Sequence, residues 1–178
     1  MRALRKQEGM AAVALEFLIL TAARTSEAVG ARWDEIDLRQ AVWTVPGSRI
    51  KSGKEHRAPL SKSALALLKR MQKIRVGEFV FGGGKKGKPL SNMALLVLLK
   101  RMEWTDITAH GFRSTFRDWA AEKTPYSRDE AEMALAHAVG DKVEAAYRRG
   151  DGLSRPLCRP HILCGDAGRQ DRFRLSRP

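Results

Sequence analysis

Acidic residues, cysteines and long apolar runs are all scarce in this sequence, and each shortage excludes something. Twenty Asp and Glu face thirty-three Lys and Arg in 178 residues, a net charge of +13 with a pI near 10.3. A balance this basic favours a polyanionic partner, most commonly nucleic acid. There are two cysteines, Cys158 and Cys164, both in the last quarter of the chain. They make no disulfide framework, and a reducing cytoplasm is the expected location. The longest apolar run, residues 11–23, contains Glu16 and is too short to cross a bilayer, so no membrane partner is expected. The opening MRALRKQEG leads into that run without a small-residue cleavage site, which argues against a secretion signal. The glycine- and lysine-rich FGGGKKGKPLSN lacks the G-x-x-x-x-G-K-[ST] order of a nucleotide-binding loop. Cys158-x-x-His161-x-x-Cys164 offers three possible ligands without a fourth nearby, in a proline-broken segment, so no zinc site is expected. No internal repeat is visible.

What is present suits one domain with a real core, at 43% hydrophobic residues. Residues 1–9 are polar and basic and read as a linker. Residues 11–23 read as a largely buried helix, and Ser26 is expected to cap a second one over 27–33. Val42, Trp43, Thr44 and Val45 favour a strand, as does 55–60, with Ser52-Gly53 as the turn between them. The result is a β-hairpin with a basic tip: Arg49, Lys51, Lys54, His56 and Arg57. Ser61 is expected to cap a helix carrying Leu65, Leu67, Leu68 and Met71. EFVF, residues 78–81, reads as a short strand, and Ser91 starts a helix over 92–102. Thr108 is the expected N-cap of the next helix, and Ser127 with Glu130 forms a capping box for another that Gly140 would stop. A helix over 142–149 follows, so that His137 and Tyr147 flank a tight corner. Residues 152–178 have no helical period and are expected to be irregular.

Four groups of residues carry possible chemistry, and each also has an ordinary structural reading. Arg24-x-x-Glu27 puts a guanidinium and a carboxylate on one side of a helical turn, an arrangement shared by many surface ion pairs. Lys51, on a β-turn, has the reach to meet a phosphate or a leaving oxygen, although most turn lysines are simply solvated. His110-x-x-Arg113 combines a proton-exchanging imidazole with the planar donor fork that matches phosphate oxygens. His137 precedes Tyr147 by ten residues, and Arg148 and Arg149 follow the tyrosine, whose other reading is a core-edge aromatic.

Each signal is weak alone, but their order is distinctive. The stretches TAARTSEAVGARWDEIDL, HGFRSTFRDWAAE and ALAHAVGDKVEAAYRRGD closely resemble the catalytic domain of the tyrosine recombinases, the phage integrase family, particularly the prophage and genomic-island type. The likeness runs over residues 10–151. It implies an α+β, mainly helical fold with a small antiparallel sheet, and site-specific cleavage and rejoining of DNA through a 3′-phosphotyrosyl intermediate. By this resemblance Arg24 and Arg113 clamp the non-bridging oxygens of the scissile phosphate, and Tyr147 attacks phosphorus. Lys51 is the general acid for the departing 5′-oxygen, with Lys54 a second candidate. His110 assists proton transfer at the tyrosine, His137 hydrogen-bonds the phosphate, and Glu27 supports without reacting. No metal or other cofactor is implied. The implied partners are double-stranded DNA at attachment sites, further protomers in a multimer on that DNA, and accessory DNA-bending proteins.

Family members usually carry a DNA-clamping domain before the catalytic one, and continue past the tyrosine into a helical segment that 152–178 does not resemble. The expected organisation is therefore a linker over 1–9, a catalytic domain over 10–151 and an irregular tail. A DNA-binding remnant that does not turn over, and a type IB topoisomerase with similar chemistry, are the rival readings.

Overall fold

Helix α2 (Met10–Thr21) is apolar on nearly every side, MAAVALEFLILT, and a helix without a polar face has to be surrounded. It is surrounded in the computed structural model, which describes residues 1–50, 53–85 and 87–136. Leu15, Phe17 and Leu18 are fully buried. Five helices pack against α2: α1 (Arg2–Arg5), α3 (Thr25–Val29), α4 (Lys62–Lys73), α5 (Asn92–Arg101) and α6 (Ala109–Lys123). The one carboxylate of α2, Glu16, is buried but accepts from Arg5 Nε at 2.7 Å. The opening residues, expected to be a linker, thus form a helical turn whose Leu4 joins the core and whose Arg5 neutralises Glu16.

A three-stranded antiparallel sheet lies beside the helices in the order β1 (Ile36–Asp37), β2 (Val42–Val45), β3 (His56–Pro59). Trp43 pairs with Ala58 and Val45 with His56. Trp43 and Phe81 both meet Phe17 of α2, at ring separations of 5.1 and 5.4 Å, and so tie the sheet to the helical core. The expected mainly helical α+β architecture with a small antiparallel sheet is the one observed.

Several expected caps are present. The side chains of Ser61, Ser91 and Thr108 accept from Ala64 N, Met93 N and Gly111 N. Ser127 and Glu130 close a capping box at the start of α7 (Arg128–Ala134). Other boundaries differ. The helix expected over 27–33 with a Ser26 cap instead spans Thr25–Val29, begins at Arg24 and ends at Gly30. Glu27 explains the shift: its carboxylate accepts the backbone N–H of Arg24, fixing the start two residues earlier. Trp33 leaves the helix for a 3₁₀ turn, Trp33–Glu35. EFVF does not form a strand; Phe79 and Gly82 make isolated bridges to Arg32 and Pro89. Helix α7 stops at Ala134, before the expected position, because Ala136 takes up a left-handed conformation at φ 50°. The stop expected at Gly140, the helix over 142–149 and the irregular tail lie outside the described residues.

Candidate active site

Three turns converge at the C-terminal end of α2. The first is the left-handed Ala22 (φ 50°) that ends α2 and redirects the chain into α3. The second is the start of α3, where Arg24 is fixed by Glu27. The third is the end of α7, at Leu135 and Ala136. Helix α6 supplies Arg113 from below, above a small apolar cluster of Ala22, Phe116 and Leu135.

Arg24 is held at both ends of its side chain. Its backbone N donates to Glu27 Oε2 at 3.0 Å and its Nη1 to Glu27 Oε1 at 2.8 Å, while Nη2 reaches Ala136 O at 3.4 Å. Glu27 is buried, so the pair is not the solvated surface contact that sequence alone also allowed. Arg113 is only 4% exposed. Its Nη1 donates to Ala22 O at 2.7 Å and its Nη2 to Leu135 O, while Nε is buried without an acceptor among the described residues. The two arginines therefore bind consecutive carbonyls, Leu135 and Ala136, and their guanidinium groups are neighbours. The Arg113 pKa is lowered to about 10, by burial first and by the nearby charge of Arg24 second, with Glu27 and Glu132 opposing both. At neutral pH Arg113 is still a cation.

A small pocket beside the pair is lined by Glu27, Trp43, His56, Ala58, Arg113 and Leu135, among others. His56 was expected at the basic tip of a hairpin. Instead it is half-buried on β3 and faces the site. Burial pushes its pKa below 6.5, Glu27 opposes this, and Arg113 and Arg24 add to it, so the imidazole is neutral at pH 7. Sequence held a signal for this placement: residues alternate on a strand, and Ala58, two positions on, is buried on the same side. Arg49, also expected at the basic tip, turns inward as well. It pairs with Glu35 and donates from Nη2 to Glu27 O at 2.8 Å. No pattern in the sequence marked it.

Of the six expected site residues, the structure brings Arg24 and Arg113 together. His110 is exposed in the first turn of α6, one turn before Arg113, so the two differ sharply in environment. Lys51, His137 and Tyr147 lie outside the described residues.

Chemically, this is a pair of fixed cations, one of them almost dry, beside a carboxylate that orients Arg24 and a neutral imidazole. Such an arrangement suits an oxyanion bearing two or more acceptor oxygens. The fold is shared with solved integrase structures. A dimer of lambda integrase (75–356) bound to a COC′ core site superposes with a TM-score of 0.58 at 18% identity, over 78% of this chain and 54% of that one. A lambda integrase tetramer bound to a Holliday junction gives 0.57 at 18% identity, over 81% and 44%. The model of the Phage integrase family matches residues 1–151, and the chain belongs to that family. Among similar relatives, prophage integrase IntA of Escherichia coli K12 is 37% identical over 144 residues, covering 78% of this chain and 35% of the relative. Prophage integrase IntZ of the same organism is 40% identical over 144 residues, covering 80% and 36%. The integrase of Enterobacteria phage P4 is 32% identical over 155 residues, covering 78% and 35%. The chain spans about a third of the length of these relatives.

Proposed function

We propose that this chain is the catalytic domain of a site-specific DNA recombinase, working in the cytoplasm on the attachment sites of a mobile element as part of a multimer. The observation that carries the reading is the meeting of Arg24 and Arg113 at one point. They come from helices almost ninety positions apart in sequence and remain side by side despite their mutual repulsion. Two like charges in a poorly solvated place are costly unless a dianionic or developing anionic group is their normal partner. The scissile phosphate is such a group. As Tyr147 Oη attacks phosphorus, negative charge builds on the equatorial oxygens, and the fixed guanidinium groups stabilise it without reorganising. The P–O5′ bond breaks, and Lys51 delivers a proton to the leaving 5′-oxygen. The tyrosyl ester then conserves the phosphodiester linkage for attack by another 5′-hydroxyl. His110 assists proton transfer at the tyrosine, and His137 donates to a phosphate oxygen. Arg113 Nε, which has no acceptor among the described residues, supports the same reading, since a phosphate oxygen would satisfy it.

The test is a suicide duplex carrying the native attachment sequence, incubated with excess protein at low salt. A covalent adduct that disappears in Tyr147→Phe supports the proposal. Equal adduct from wild type and variant refutes the choice of nucleophile, and no adduct from wild type refutes catalysis by this chain. A second reading, a DNA-binding domain that holds DNA without cutting it, is favoured by one feature. Both terminal nitrogens of Arg113 already donate to main-chain carbonyls, and a phosphate would have to displace them. Salt-sensitive binding without adduct is the result it predicts.

A further inference from the structure

We propose that Arg49 is a positioning residue for Arg24, acting as a bracket that fixes helix α3 against the sheet. This rests on the recombinase reading for its catalytic consequence, though not for its geometry. Arg49 sits in the 3₁₀ turn Gly47–Arg49, yet its side chain is only 21% exposed. One terminal nitrogen, Nη1, pairs with the carboxylate of Glu35, and the other, Nη2, donates to Glu27 O at 2.8 Å. Glu35 is itself fixed from two further sides. Its Oε2 accepts from Trp43 Nε1 at 3.0 Å and from Arg32 N at 3.2 Å. A single planar fork thus joins three parts of the chain: the 3₁₀ turn before β1, the central strand β2 and the short helix α3.

Helix α3 has five residues, too few to hold its place through its own hydrogen bonds. Its Glu27 carries two duties at opposite ends of one residue. The backbone carbonyl is gripped by Arg49, and the carboxylate grips Arg24 at its backbone N and at Nη1. A displacement of α3 therefore moves the Arg24 guanidinium directly. Gly30, at the C-cap of α3, shows how closely the bracket is seated. A Cβ added there would lie 2.9 Å from Arg49 Nη2 and 3.0 Å from Ser26 O. Any side chain at position 30 must push against the same guanidinium. Lysine cannot replace Arg49, because a single ammonium does not span two acceptors with a rigid fork.

The test uses the whole chain with Arg49→Lys and, from the opposite side, Gly30→Ala, and takes Arg24→Ala as reference. Two readouts are needed. The first is the ¹H–¹⁵N side-chain resonance of Arg24 Nε, which reports its placement without any reaction. It is expected to move in both variants. The second is cleavage of two suicide duplexes, one with the ordinary scissile phosphodiester and one with a methylphosphonate there. The methylphosphonate is neutral, so charge clamping by arginine matters less to it. Misplacing a catalytic group by about an ångström costs up to about 100-fold, so Arg49→Lys is expected to lose about 10- to 100-fold on the phosphodiester. It should lose much less on the methylphosphonate, following Arg24→Ala. Equal losses on both substrates would mean that Arg49 only maintains the fold, and would overturn the proposal. So would an unmoved Arg24 resonance. Absence of any Tyr147-dependent adduct from wild type, with the Arg24 resonance still displaced in Arg49→Lys, would sink the recombinase reading and leave the bracket standing.

Discussion

Replacing Glu27 by Gln removes one charge and keeps the shape, so it isolates the carboxylate's part in holding Arg24. Glu27 is buried and accepts two bonds from Arg24, at 3.0 Å from the backbone N and 2.8 Å from Nη1. A glutamine amide retains one oxygen and turns two N–H donors towards whichever Arg24 donor it cannot accept. Were the pair exposed, the loss would be only about 0.3–0.5 kcal/mol, as for other helical ion pairs on a surface. Burial decides otherwise: losing a charge-assisted hydrogen bond costs about 1.5–3 kcal/mol. The 25% exposure of the Arg24 side chain favours the lower half of that range, about 2 kcal/mol. Arg24 and the buried Arg113 would also lose a nearby negative charge, as Glu27 opposes the lowering of the Arg113 pKa. Urea denaturation should show a lower midpoint with unchanged slope, and cleavage in the suicide assay should fall about 10- to 100-fold as Arg24 loses its orientation. A stability change under about 0.5 kcal/mol, the level of a surface pair, together with undiminished cleavage, would refute the reasoning.

The remaining predictions concern the imidazole, a cap and the DNA. Because the folded His56 binds its proton less readily than the ordinary value of 6.5, its contribution is fully present above pH 6.5. It is lost as pH falls through the lower folded value; the stability–pH slope below 6.5 should flatten in His56→Gln, and an unchanged slope would count against burial as the cause. Ser61→Ala removes the buried acceptor for Ala64 N and should destabilise by about 1 kcal/mol, measured by thermal unfolding. DNA affinity should fall linearly on a log–log plot against salt, with a slope of about −0.9 per phosphate neutralised. Binding insensitive to salt would contradict a basic phosphate-contacting surface.

Much of the fold was legible because it follows local rules. The cap serines Ser61, Ser91 and Ser127 and Thr108 announce their helices through side-chain acceptors within three residues. The β-branched and aromatic Val42–Val45 stretch needs only a partner strand. The meeting of Arg24 and Arg113 was legible for a different reason: Arg24, Arg113 and Glu27 belong to motifs whose order is characteristic. What escaped was long-range. Arg49 faces inward only because Glu35, fourteen residues earlier, is buried beside Trp43, and no spacing rule encodes that meeting. The Ser26 cap failed because Glu27 reaches back to Arg24 N, a competition that propensity does not rank. EFVF has the composition of a strand, but Phe79 and Gly82 find only isolated bridge partners. The inward face of His56 was recoverable from the alternation with Ala58, yet the surrounding lysines and arginines made a basic tip the simpler reading.

The central claim is that Arg24 and Arg113 act on one phosphate, and a crystal structure of Tyr147→Phe bound to an uncleaved attachment-site duplex tests it most directly. Both guanidinium groups are expected within hydrogen-bond distance of non-bridging oxygens of the same phosphate, with the Leu135 carbonyl released from Arg113. Arginines on two different phosphates, or Arg113 still bound to Ala22 and Leu135 with DNA in place, would contradict it.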